Sequence, residues 1–109
     1  MTPAAARKIA LSLPEAVKGA HGGHPDFRVG GKVFATLWPT QGRAVVMLAP
    51  EEQEMLVAAE PGVFTPVNGF WGQRGATNVA LATVDAATLR SAMTMAWRRR
   101  APKKLQGVL

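Results

Sequence analysis

The sequence predicts an α+β domain, an antiparallel sheet with helices packed mainly on one face, in the order α-β-β-β-α-β-α. Three observations carry this expectation. Apolar residues recur at helical spacing near both ends, at Ala6, Ile9, Ala10 and Leu13 and again at Leu89, Ala92, Met93, Ala96 and Trp97. From Phe27 to Leu48 the period drops to two, as in paired strands. Gly30-Gly31 and the stretch from Pro39 to Gly42 punctuate that region at hairpin spacing.

The first helix opens at Thr2, whose hydroxyl suits the N-cap, with Pro3 at the first helical position where its missing N–H costs nothing. Pro14 drives Leu13 out of helical geometry and ends it. Residues Glu15 to Ala20 are expected as a short edge strand. "FRVGGKVFATLW" reads as two strands joined at the glycine pair, with Phe34, Thr36 and Trp38 on one face and Val33, Ala35 and Leu37 on the other. "RAVVML" completes a three-stranded meander. Pro50 starts a second helix with Glu51 and Glu52 at its positive end. Ala49 is a poor N-cap, at a cost of about 1 kcal/mol. Pro61-Gly62 stops this helix, and "VFTPVNGFWGQRG" (Val63 to Gly75) is expected as a long ordered loop with aromatic anchors. "TNVALAT" is a strand with Val79 and Leu81 on one face. Asp85 caps the last helix and Pro102 closes it. No repeat or boundary divides residues 1–109, so one domain is expected.

Composition narrows the function classes. The chain has no cysteine, which excludes disulfides, thiolate metal sites and cysteine nucleophiles. No apolar run has the length of a membrane span, and Arg7 and Lys8 interrupt the apolar N-terminus where a signal peptide would be continuous. A cytoplasmic protein without membrane contact is expected. Thirteen Lys and Arg against seven Asp and Glu give a net charge of +6, a field that attracts anions.

Four stretches carry chemistry. In "HGGHPDFRV" (His21 to Val29), His21, His24 and Asp26 offer two nitrogens and an oxygen to a metal. The same residues also read as a bend shaped by Gly22-Gly23 and Pro25 that launches a strand. The bend is the better supported, and no metal or other cofactor is expected. No serine sits in a nucleophile elbow, and a Glu15 or Asp26 pair with His21 finds no nucleophile to serve, so no catalytic residues are assigned. At the C-terminus, Arg98, Arg99, Arg100, Lys103 and Lys104 either offset the last helix's dipole or contact phosphates. At about 100° per residue Arg98 lies opposite the buried stripe and Arg99 on its flank. Arg100 falls over the stripe, where it is expected along apolar surface or beside an acid rather than on a ligand. In "FWGQRG" (Phe70 to Gly75), Trp71 either stacks on a base or anchors the loop by plugging the core edge, the commoner fate of an indole.

Taken together, "LPEA" (Leu13 to Ala16), "HGGHPDFRVGGKVFATL" (His21 to Leu37), "PEEQ" (Pro50 to Gln53), "WGQRG" (Trp71 to Gly75) and "AWRRRAPKKL" (Ala96 to Leu105) resemble the MmcQ/YjbR family of small bacterial proteins, over nearly the whole chain. The resemblance implies a curved antiparallel sheet similar to secretion-chaperone-like folds, a "double wing" arrangement, DNA binding, and no catalytic residues. Two positions depart from the family. Gly22 and Ala76 stand where an aromatic is often found, and each removes stacking surface. The resulting expectation is a non-enzymatic protein that holds duplex DNA mainly through phosphates. Its contacts would be Arg28, Lys32, Arg43 and Arg74 on loops and wings, with Arg98, Arg99, Lys103 and Lys104 at the C-terminal end. His21, His24 and Trp71 would be accessory. The alternative is a module that takes an acidic peptide or partner on an open sheet face or edge.

Overall fold

The structure, a computed structural model, describes residues 1–21 and 23–109, with His21 given by its backbone alone. Helix α1 (Pro3–Leu11) leads into strands β1 (Val17–His21), β2 (His24–Val29), β3 (Lys32–Trp38) and β4 (Arg43–Met47). Helix α2 (Pro50–Ala59), strand β5 (Phe64–Pro66), the single turn α3 (Phe70–Gln73), strand β6 (Ala76–Ala80) and helix α4 (Ala86–Arg100) follow. The strands form one curved antiparallel sheet in the order β1-β2-β3-β4-β6-β5. The α+β architecture is the expected one, with more strands than the sequence suggests. The short edge strand expected at Glu15 to Ala20 is β1, which extends the meander to four strands, and the loop expected at Val63 to Gly75 contains β5 and α3.

Local chemistry sets the element ends. Thr2 accepts the Ala5 N–H at 3.1 Å and Asp85 accepts the Thr88 N–H at 2.7 Å, the caps the sequence predicts. Gly30 and Gly31 both have positive φ (58° and 79°), the geometry of a tight hairpin turn. Ala49 has no capping side chain, yet its own N–H is satisfied by Glu52 Oε1 at 2.9 Å, half of a capping box. Pro25, expected in the bend, lies instead within β2 opposite Ala20; the Gly22 part of that bend falls outside the described residues.

The core lies between one sheet face and helices α1 and α4. Register places Phe27, Ala35 and Val46 in one row and Leu37, Ala44 and Val79 in another, all buried. The predicted stripe of α4 covers them, and Trp97 is fully buried with its Nε1–H donated to the Pro14 carbonyl at 2.9 Å. One facing expectation changes. The register slips by one residue between Phe27 and Arg28, so Phe34 is an extra residue in β3. Phe34 therefore joins Ala35 and Leu37 in the core, while Val33 pairs with Arg28 and lines the opposite face.

Candidate functional site

The sheet face turned away from α1 and α4 carries the polar residues. On β2, His24, Asp26 and Arg28 alternate onto that face, and Asp26 pairs in register with Thr36, which pairs with Val45. Asp26 is 1% exposed and takes Arg28 in a two-pronged grip, with Nε–H donating to Oδ1 and Nη2–H to Oδ2, each at 3.0 Å. That carboxylate raises the Arg28 pKa further, first through the hydrogen bond and then through its charge. Gly19, opposite Asp26 on β1, makes room for the pair, because a Cβ there would come within 2.6 Å of Oδ1 and 3.2 Å of Nε.

Beside the pair lies an aromatic stack. His24 stacks on Trp38 with centroids 3.6 Å apart, and the Arg43 guanidinium lies 4.7 Å from the Trp38 ring. Trp38 Nε1–H donates to Thr36 Oγ1 at 3.0 Å. Arg43 also donates to Gln41 Oε1 and Asn78 Oδ1, both at 2.7 Å.

His24, Asp26, Arg28 and Thr36 border an open cleft of about 460 Å³ between the sheet face, Trp71 on α3 and Arg100 at the end of α4. A smaller hollow of about 160 Å³ adjoins it and is lined by Arg74, Arg99, Leu48 and Ala76. Met47, Trp71 and Arg100 line both. Helix α3 is held in place by Gln53, which is buried and donates from Nε2 to the Gly72 and Ala76 carbonyls at 3.0 Å each. Glycine is required at position 72, where a Cβ would lie 2.7 Å from the Val67 carbonyl carbon.

The structure sorts the residues singled out in the sequence. Arg28, Lys32, Arg74, Arg99, His24 and Trp71 meet at the cleft. Arg28 and Arg43 are strand residues already engaged by Asp26 and by Gln41, Asn78 and Trp38, rather than free contacts on loops. Arg74 covers the Phe70 ring at 4.6 Å. Arg98 turns to the Leu109 carbonyl at 3.1 Å, and Lys103 and Lys104 sit exposed in a terminal 3-10 turn (Lys103–Leu105), away from the cleft lining. The His21 side chain falls outside what is described, and with it the histidine-pair reading. Among the described residues no group of three His, Asp or Glu side chains is placed to hold a metal.

Two expectations are corrected. Trp71 does not plug the core edge; it is 63% exposed, on a turn whose Gly72 carbonyl is held by Gln53. Arg100, expected along apolar surface or beside an acid, has a half-buried side chain that lines both hollows, and no acid among the described residues pairs with it. Burial, and then the Arg99 charge, depress its pKa. Ala76 is the floor of the smaller hollow, so the small side chain removes stacking surface and opens space in its place. Sequence reasoning missed Thr36 and Met47 as cleft residues, and Trp38 as the platform on which His24 stacks. The alternation from His24 to Arg28, carried across the sheet register, is the signal that finds them.

A short-stranded curved sheet, backed by two helices and open on a cationic, aromatic-rimmed cleft, defines the class as a small α+β domain. The chain belongs to the YjbR family, whose family model matches residues 11–99. Among solved structures it is similar to the Deinococcus radiodurans protein DR2400, a DUF419 domain, at 22% identity and a TM-score of 0.77, over 94% of this chain and 80% of that one. At that identity the likeness concerns the fold. No curated protein matches the sequence at a significant level.

Proposed function

We propose that the protein binds DNA, holding the duplex mainly through its phosphates at the rim of the open sheet face, as a binding rather than a catalytic protein. One observation carries this reading. Lys32, Arg74, Arg99 and Arg100 converge on the cleft, while its one acid among the described residues, Asp26, is buried and already paired with Arg28. Four cations without a counter-charge form a footprint for a polyanion.

If these four neutralise phosphates, log affinity falls with log salt at a slope near about −3.6. Anisotropy of a labelled duplex across salt concentrations measures it. Arg99→Gln should shallow the slope by about 0.9, whereas Lys103→Gln, outside the cleft, should leave it in place. Absence of binding at low salt refutes the proposal.

A second reading rests on the outer edge of β1, a strand with a neighbour on one side only and Lys18 exposed along it. An acidic extended segment would pair there. Recovery of an acidic partner after nuclease treatment would favour it.

A further inference from the structure

The two hollows differ in chemistry yet share a wall. The larger offers flat and soft apolar surface, the exposed Trp71 indole and the Met47 thioether, beside hydrogen-bonding groups on Thr36 and the Asp26–Arg28 pair. Its volume lies within the roughly 300–1,000 Å³ of small-molecule sites. The smaller presents three guanidinium groups, from Arg74, Arg99 and Arg100, and no acid. A ligand that satisfies both has a planar ring with polar edges, tethered a short distance from a compact anion.

A second observation concerns two nitrogens in the wall of the larger hollow. Arg100 Nε and His24 Nδ1 are shielded from water and have no hydrogen-bond partner, and both belong to residues lining the larger hollow. Buried polar nitrogens are ordinarily paired. The Arg99 charge bears on Arg100, and no acid among the described residues pairs with either. An anion at their outer nitrogens would offset that repulsion and repay the desolvation of the Arg100 side chain.

We infer that the cleft seats one unstacked nucleotide, its base against Trp71 in the larger hollow and its phosphate on Arg74, Arg99 and Arg100 in the smaller. The inference deepens the DNA-binding reading and rests on it for the source of the nucleotide, either an unpaired residue of a strand or a free nucleoside phosphate. A base inside an intact duplex reaches the cleft only by leaving its stack, which costs free energy, whereas an unpaired base pays little. The protein should therefore prefer DNA carrying an unpaired nucleotide.

The test uses the full chain and three labelled probes: an intact duplex, the same duplex with a single-nucleotide bulge, and that bulge with an abasic residue. A deoxynucleoside 5′-monophosphate serves as competitor. The bulged duplex should bind about tenfold more tightly than the other two, consistent with stacking of one base on an aromatic side chain. Trp71→Ala, a change at an exposed position, should bring it down to their level, and the monophosphate should displace it from the wild-type protein. Equal affinity for all three probes, or a bulge preference that survives Trp71→Ala, overturns the inference and leaves phosphate-based duplex binding standing. Should the monophosphate alone bind, and bind less well to Trp71→Ala, the nucleotide seat stands and the DNA reading falls. No binding of any probe refutes both.

Discussion

Substituting Gln53 by glutamate should convert a structural clamp into a pH-sensitive fault. Gln53 is 8% exposed, and its amide donates to the Gly72 and Ala76 carbonyl oxygens at 3.0 Å each, tying α2 to the turn that carries Trp71. Those carbonyls also accept from the Gly75 and Val67 N–H groups, so neither is left unpaired when the amide is lost. Gln53→Leu, similar in size, should therefore cost only about 2 kcal/mol, two ordinary buried hydrogen bonds. A glutamate is different. Its ionised form has no proton to give and faces two carbonyl oxygens, so the folded state holds it neutral with one donor. Keeping a carboxyl of ordinary pKa near 4.3 neutral at pH 7 costs up to about 3.7 kcal/mol. With one hydrogen bond also lost, Gln53→Glu should be destabilised by about 4–5 kcal/mol at pH 7. Because the folded-state pKa is raised, this penalty is absent below about pH 4.3 and grows by up to about 1.4 kcal/mol per pH unit above it. Urea unfolding of both variants and the wild type between about pH 4 and pH 7 reads the difference. If Gln53→Glu tracks Gln53→Leu at every pH, the donor role assigned to this amide is wrong.

Two further outcomes concern helix ends. Ala49 already has the extended backbone of an N-cap, with φ −72° and ψ 151°, so Ala49→Asp should stabilise the protein by about 1 kcal/mol, read as a higher urea midpoint; an unmoved midpoint refutes it. The Asp85 carboxyl is held below its ordinary pKa, first by the Thr88 N–H it accepts. A lowered folded-state pKa means the contribution is present above about pH 3.9 and lost as pH falls through the folded value. The stability gap between wild type and Asp85→Ala should therefore narrow in acid, and a gap independent of pH would contradict the cap.

What the sequence revealed was mostly what neighbours in sequence decide. Thr2 and Asp85 cap helices through N–H groups three residues away, and the Gly30-Gly31 turn is dictated by its own backbone. The buried stripe of α4 follows from helical spacing alone. The unread parts depend on distant partners. Strand β5 has three residues and exists because Phe64, Thr65 and Pro66 find Val79, Asn78 and Thr77. Trp71 is exposed because Gln53, eighteen positions earlier, fixes the turn beneath it. Arg100 was expected over the helix's apolar stripe and is half-buried, but the hollow beside it is built by β2, β3, β4 and α3. The cationic residues were legible as a set; which of them converge depends on where α3 and the end of α4 lie against the sheet.

The inserted Phe34 has a wider meaning for β3. A strictly alternating strand divides its positions evenly, so each side chain given to the interior is one withheld from the opposite surface. The bulge breaks that bargain, letting Phe34 and Ala35 stand consecutively on the interior side while Val33 and Thr36 keep their places outside. Interior packing and the lining of the cleft thus occupy separate positions along one seven-residue ribbon, and either can be rewritten without erasing the other.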